Sequence, residues 1–197
     1  NAPSIGFSSA TPNTTFAWSS SANVGFGTSG SGNIAAYTTV DGDAAATGTV
    51  TVVPTANTCT GPARTFTITV NPSPKVNALA NAVFCNTNSA PAITFSSPTS
   101  GTTFNWNASS NVGFGTTGTG NISAYTATNG GPGIIISTIN VTPKTATCTG
   151  PVRPFTVTVN PTPIVNSIGN MTYCGSVQGA PINFSSSTSG TTFSWTS

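Results

Sequence analysis

Charged and proton-carrying side chains are almost missing from this 197-residue sequence. Charged residues make up 3% of it, His and Glu are absent, and the two carboxylates, Asp41 and Asp43, lie two positions apart. Acid–base catalysis requires a positioned proton carrier, and zinc and calcium sites require His, clustered Cys or several carboxylates. We therefore expect no enzymatic activity, no cofactor and no metal site.

Long apolar runs and clustered basic residues are missing as well. No apolar run approaches the roughly 20 residues that a membrane-spanning helix requires. The four Lys and Arg residues give a formal net charge of +2, which does not form the basic patch of a nucleic-acid-binding domain. The sequence therefore predicts no membrane span in this segment and no nucleic-acid partner.

The residues that are abundant favour short strands. The chain contains 11 Phe, 3 Trp, 15 Pro and 21 Gly, together with many Val, Ile and Thr. Aromatic and β-branched residues favour strands, and Gly and Pro separate them. Residues 155–159 alternate apolar side chains with Thr, a pattern typical of a half-buried strand. Composition and alternation together predict an all-β protein.

An internal repeat of about 89 residues organises the chain. Trp18, Trp106 and Trp195 are spaced by 88 and 89 residues, and each ends a Thr-Thr-Phe-x-Trp motif. Asn-Val-Gly-Phe-Gly, Cys-Thr-Gly-Pro and Asn-Pro-x-Pro also recur at this spacing. We interpret the chain as a window from a longer array. Its predicted parts are 1–72, a module lacking its N-terminal strand; 73–161, a complete module; and 162–197, the first third of another.

The complete module predicts seven short strands and no helix. Seven alternating strands in about 90 residues, with a Trp in the third, are typical of an immunoglobulin-like antiparallel sandwich. The predicted strands are 76–84, 92–97, 102–107, 111–115, 121–128, 133–142 and 154–160.

Proline restrains the predicted joints between modules. Each Asn-Pro-x-Pro segment fixes φ at two positions and favours an extended backbone in each residue before a proline. We therefore predict short, semi-rigid, Pro-rich linkers that place the modules in an extended line. The prolines concerned are Pro72, Pro74, Pro161 and Pro163.

The repeated aromatic pairs are predicted core residues. Phe and Trp of each Thr-Thr-Phe-x-Trp motif lie two positions apart, so both side chains lie on one strand face. The alternative is an exposed platform that stacks on sugars, but such a pair is usually buried. The six residues are Phe16, Trp18, Phe104, Trp106, Phe193 and Trp195.

Four cysteines indicate an oxidising, extracytoplasmic location. We favour a Cys85–Cys148 bridge inside the complete module, with Cys59 and Cys174 pairing outside this window. The alternative, Cys59–Cys85 with Cys148–Cys174, would span each proline joint. In an extended array those partners would lie far beyond the ~7 Å that a disulfide permits between Cα atoms. Unpaired thiols are the third possibility.

The two carboxylates are not part of the repeat. The positions equivalent to Asp41 and Asp43 in the next module are Asn129 and Gly131. Two carboxylates alone also make a poor calcium site. We interpret this stretch as a solvated loop.

The combined motifs resemble a known type of repeat. Asn-Pro-x-Pro-x-Val, Gly-Thr-Thr-Phe-x-Trp, Gly-Asn-Ile-x-x-Tyr-Thr and Cys-Thr-Gly-Pro resemble the PKD-like tandem repeats of large surface proteins of Bacteroidota, including SprB-like gliding adhesins. The resemblance implies an immunoglobulin-like sandwich, type IX secretion and a stalk or adhesive role, and it carries over no catalytic residue. Trp106 lacks the Phe-Gly-Asp-Gly turn of better-known PKD domains, so the likeness is PKD-like only.

We therefore expect a structural repeat segment of an extended extracellular adhesin or surface filament. The first alternative is a carbohydrate-binding module of a surface protein. The second is a filament subunit that pairs through sheet edges, since lysines that would protect such edges are missing. The expected partners are neighbouring modules, surface polysaccharide or identical chains.

Overall fold

The chain folds into β-sandwich architecture. The structure is a computed structural model that describes residues 1–196, and Ser197, the last residue of the third predicted segment, lies outside the described residues. Every regular element among residues 1–196 is a strand, which confirms the all-β sandwich prediction. No helix in this range is long and apolar enough to cross a membrane.

Two compact units divide the chain. Unit 1 contains Asn1–Lys75 together with Ser97–Thr103 and Pro143–Pro151. Unit 2 contains Val76–Ser96, Phe104–Thr142 and the chain from Val152 onward. The module boundaries at 72/73 and 161/162 follow the sequence repeat and stay predictions.

The first sheet is antiparallel throughout. It has the order β2-β1-β3-β4, and β5 also pairs with β3, on the same edge as β4 and opposite β1. The buried core of this unit contains Trp18, Val50 and Val52 from the sheet, together with Ile34, which forms an isolated bridge with Ile5. Its strands are β1 Thr15–Ser20, β2 Ser29–Ser31, β3 Ala46–Ala56, β4 Cys59–Thr60 and β5 Arg64–Val70.

The second sheet also has five strands and follows this plan, except that β6 is added and an isolated bridge, Lys144 to Thr149, replaces β4. Its order is β6-β12-β11-β8-β9, and β7 pairs with β10 in a separate two-stranded sheet. The strands are β6 Ala82–Cys85, β7 Ser89–Ala90, β8 Thr103–Ala108, β9 Thr117–Thr119, β10 Tyr125–Thr126, β11 Ile135–Lys144 and β12 Arg153–Asn160. The core of unit 2 includes Trp106, Ile139, Val141, Val157 and Val159.

One pairing is parallel, so the prediction of a wholly antiparallel sandwich is wrong at that pair. Strand β6 runs parallel to β12, with Ala82 opposite Val157 and Cys85 opposite Asn160. Alternation of apolar and polar residues reports which face of a strand is buried but not the direction of its neighbour. The alternation therefore does not predict the parallel direction of β6.

The predicted strand at 111–115 is a turn. Gly113 and Gly115 have φ angles of 123° and 92°. Residues in regular β-strands do not adopt such positive φ angles. The Asn111 side-chain oxygen accepts hydrogen bonds from the amides of both glycines, at 3.0 and 2.9 Å. A β-carbon on Gly113 would overlap the carbonyl of Thr126. The Asn-Val-Gly-Phe-Gly motif thus encodes a turn, and the strand follows it as β9.

Two further predicted strands are much shorter than expected. Residues 92–97 contribute a single isolated bridge, Ile93 to Ile122. Residues 121–128 contribute that bridge and the two-residue strand β10. The side chain of Asn121 accepts a hydrogen bond from the Phe95 amide at 2.9 Å. Side-chain bonding therefore replaces part of the backbone ladder in this layer.

Each buried Trp lies over a glycine of the neighbouring strand. Trp106 of β8 is directly opposite Gly118 of β9, and a β-carbon at Gly118 would overlap the indole ring. Trp18 and Gly30 repeat the arrangement in unit 1. The glycine therefore makes room for the ring that fills the core.

We predict that Gly118→Ala destabilises the protein by about 1–3 kcal/mol, because the added methyl group must displace Trp106. Thermal or urea unfolding measures the effect. The matched control is Gly130→Ala, where a β-carbon meets no atom within 4 Å. Equal stability of the two variants would contradict the packing described here.

Candidate functional site

Among residues 1–196, no three His, Cys, Asp or Glu side chains cluster closely enough to hold a metal ion. The surfaces left to consider are the proline joint, the aromatic residues, the cysteines and the strand edges.

The proline joint at 71–75 is packed rather than solvated. Pro74 is fully buried, and Gly150 lies so close to it that a β-carbon would overlap the Pro74 carbonyl. The Gly150 amide also donates to the carbonyl of Pro143 at 2.9 Å. The glycine of the Cys-Thr-Gly-Pro motif is therefore required by close packing within unit 1. The other predicted joint prolines are less buried: Pro72 and Pro161 are half-buried, and Pro163 is exposed.

Asp41 binds the same joint. Its carboxylate accepts a hydrogen bond from the Ser73 amide at 3.2 Å and pairs with the Lys75 ammonium group at 3.0 Å. The hydrogen bond from Lys75, followed by that from Ser73, holds the pKa of Asp41 below its ordinary value. Asp41 is exposed, as expected for a loop, but it has a specific partner that sequence analysis missed. Asp41 has no counterpart in the second repeat, so comparison of the repeats did not identify it as a residue with a structural role.

We predict that Lys75→Gln raises the pKa of Asp41 toward its ordinary value of 3.8. Because folding lowers this pKa, the contact is fully present above that value and is lost as the pH falls through the folded-state pKa. Carboxyl NMR titration of Asp41 measures the change. An unchanged titration midpoint in the variant would show that the ion pair does not form in solution.

An aromatic cluster of three rings recurs in both units. Phe26 lies 5.4 Å from Trp18 and 4.9 Å from Tyr37, edge to face. In unit 2, Phe114 lies 5.6 Å from Trp106 and 4.8 Å from Tyr125. Trp18 and Trp106 are only 9% and 8% exposed, so neither offers a flat face to a sugar. Burial also raises the pKa of Tyr125.

The third aromatic pair is exposed in the structure, and its place in a core stays a prediction. Trp195 is 72% and Phe193 is 37% exposed, whereas Phe104 and Trp106 are buried and Phe16 is half-buried. The ring of Phe193 stacks on that of Phe184, with centroids 5.9 Å apart. Within residues 1–196, no later strands correspond to the β11 and β12 that bury Trp106. The same motif therefore gives a core residue only where those strands are present.

All four cysteines are free thiols in the structure, so it does not support a disulfide and the pairing stays a prediction. Cys85 ends β6, opposite Asn160. The Cys148 sulfur lies 3.9 Å from the carbonyl oxygen of Asn71. Asn71 and Asn160 are equivalent positions of the repeat. Cys148 therefore lies beside the end of β5, and Cys85 lies beside the end of β12, the equivalent strand of the next repeat. Cys59 and Cys174 are both exposed.

The outer edges of β5 and β12 differ, although the two strands are equivalent in the repeat. β12 is covered on that edge by β6, whereas in residues 1–196 β5 pairs with β3 alone. Phe155, Val157 and Val159 of β12 are at most 4% exposed. Their counterparts in β5, namely Phe66, Ile68 and Val70, are only half-buried. The edge of β5 is thus an unpaired backbone next to a partly covered core.

Comparisons with known proteins identify no family. No family model matches the chain, and no curated protein matches it. A solved structure of protocadherin gamma B2 extracellular cadherin domains 3–6 is similar at 12% identity and a TM-score of 0.32. The alignment covers 76% of this chain and 41% of that one, and at this score the likeness carries no argument about function.

Proposed function

We propose that this chain is a non-enzymatic structural segment of an extracellular surface protein, in which repeated sandwiches serve as a stalk or spacer. The observation that carries this proposal is the duplication of the same internal construction. Both units contain the Trp–Phe–Tyr cluster and the glycine beneath the Trp ring. A chain that repeats the core of its sandwich is suited to providing length and stability.

The surface supports the same role. The outward positions of β5 are Thr65, Thr67 and Thr69, all exposed, and charged residues make up only 3% of the chain. A surface that is polar but nearly uncharged has few long-range electrostatic interactions for salt to screen. The geometry of such a spacer should therefore be independent of ionic strength.

The extracellular location and the type of parent protein rest on sequence. The PKD-like motifs resemble repeats of SprB-like gliding adhesins, and that resemblance supports type IX secretion and display on the cell surface. A carbohydrate-binding role is less well supported, because Trp18 and Trp106 are buried.

We predict an elongated particle whose radius of gyration and sedimentation coefficient stay constant between about 0.01 M and 1 M salt, although the Debye length shortens from ~30 to ~3 Å. Small-angle scattering and sedimentation velocity of the full chain measure this, under reducing conditions and extrapolated to zero concentration so that association does not contribute. A compact particle, or one that changes dimensions with salt, would contradict the spacer role.

A further inference from the structure

The cysteine that ends β6 lies beside the last residue of β12. Cys85 is directly opposite Asn160 in this parallel pair, and its side chain is exposed. The next residue, Asn86, donates its backbone amide to the carbonyl of Asn160 at 2.8 Å. The Asn160 carbonyl therefore points toward the edge of β12 on which β6 and Cys85 lie.

The cysteine of the second Cys-Thr-Gly-Pro motif lies beside the end of β5, the strand equivalent to β12. The Cys148 sulfur is 3.9 Å from the carbonyl oxygen of Asn71, and Asn71 is the repeat counterpart of Asn160. β5 pairs with β3 in the register in which β12 pairs with β11. The Asn71 carbonyl therefore points toward the equivalent edge of β5, and Cys148 lies on that edge.

The two kinds of cysteine therefore meet at one peptide group when the repeats are superimposed. With β5 placed on β12, the counterpart of β6 has its terminal cysteine opposite Asn71. The residue after that cysteine bonds the Asn71 carbonyl, the same oxygen that lies 3.9 Å from the Cys148 sulfur. Paired strands lie about 4.8 Å apart, so this arrangement is compatible with the ~7 Å that a disulfide permits between Cα atoms.

We propose that a disulfide joins each repeat to the next, between the cysteine that ends the β6 strand of one repeat and the Cys-Thr-Gly-Pro cysteine of the following repeat. Cys148 then pairs with the counterpart of Cys85 in the repeat before its own, and Cys85 pairs with the counterpart of Cys148 in the repeat after its own. The proposal rests on the proposed function, since it requires consecutive repeats in one array. It replaces the Cys85–Cys148 bridge inside one repeat, because those two cysteines lie at the ends of different strands, β12 and β5.

The bridge forms by thiol–disulfide exchange, with a small disulfide such as oxidised glutathione as the oxidant. The thiolate of one cysteine attacks the small disulfide and releases one glutathione thiolate. The thiolate of the second cysteine then attacks the protein sulfur of the mixed disulfide and releases the other glutathione thiolate. Two protein thiols are oxidised, and one small disulfide is reduced to two thiols. Cys85 is exposed and Cys148 is half-buried, so the oxidant has access to both.

An extended version of the full chain brings one such pair together. The bridge of Ala2 with Tyr37 is equivalent to the pairing of Ala90 with Tyr125. A copy of residues 73–88 placed ahead of the full chain is therefore in phase with the repeat. This copy supplies a β6 strand to β5 and adds a single cysteine.

Disulfide mapping of the extended chain tests the proposal. The protein is incubated with oxidised glutathione at low concentration, digested without reduction and analysed by mass spectrometry. We expect the added cysteine to be linked to Cys148. A link from the added cysteine to Cys59 would show a bridge inside one repeat, and a Cys59–Cys85 link would show a bridge across the proline joint. Either link, or added cysteine that stays free, overturns the proposal.

Amide hydrogen exchange at Thr67 reports whether the copied strand is seated on β5. The equivalent amide of Thr156 donates to the Asn81 side chain at 2.9 Å, so the extension should slow exchange at Thr67. A seated strand whose cysteine stays free would contradict the pairing. Exchange at Thr67 that the extension does not slow would contradict the superposition from which the pairing is derived.

Matched variants and the chain without the extension complete the test. Cys148→Ser should abolish the link to the added cysteine, whereas Cys59→Ser, in the same motif of the other repeat, should leave it intact. Without the extension, the same oxidation should link no two cysteines of one chain, and a Cys85–Cys148 link would overturn the proposal. The dimensions measured under reducing conditions do not depend on the bridge, so its failure is distinguishable from failure of the spacer role.

Discussion

The alternation of apolar and threonine residues along β5 and β12 is the constraint on which the rest of the structure depends. Because side chains alternate along a strand, the apolar residues point inward and pack against the aromatic cluster. The threonines between them point outward. The threonine face needs no charge to stay solvated, which is consistent with the 3% of charged residues. The same geometry leaves a backbone edge that must be paired or protected.

The two units show how pairing of this edge affects the burial of the core. In β12 the edge is covered by β6, and Val157 and Val159 are fully buried. In β5 the edge is open within the described residues, and Ile68 and Val70 are half-buried. Since the strands have closely similar sequences, the difference in burial comes from the neighbour and not from the strand itself.

Much of the fold follows from the sequence, and the exceptions have physical reasons. The all-β class, the repeat and the burial of Trp106 follow from alternation and spacing. The turn at Gly113 was missed because its aromatic and valine neighbours favour strands, while the asparagine that closes the turn acts through its side chain. The parallel direction of β6 and the solvent exposure of Trp195 depend on which other strands are present, and a local pattern does not carry that information.

The candidate site was harder to predict because its parts are distant in sequence. The Cys148 sulfur lies 3.9 Å from the Asn71 carbonyl oxygen, and the nearby Gly150 packs closely against Pro74. Asp41 contributes to the same joint, although it has no counterpart in the next repeat. Repetition therefore identifies the core of each sandwich and the motifs that pack at the joint, whereas the Asp41 contact depends on a residue that the repeat does not share.

The central claim is that a neighbouring strand along the outer edge buries the core of this repeat, as β6 does for β12. Amide hydrogen exchange at Thr156 and at its repeat counterpart Thr67 tests it most directly, because the Thr156 amide is bonded to Asn81, whereas β5 pairs with β3 alone among residues 1–196. The account predicts that the Thr156 amide exchanges more slowly than the Thr67 amide. Equal exchange rates at the two amides would contradict it.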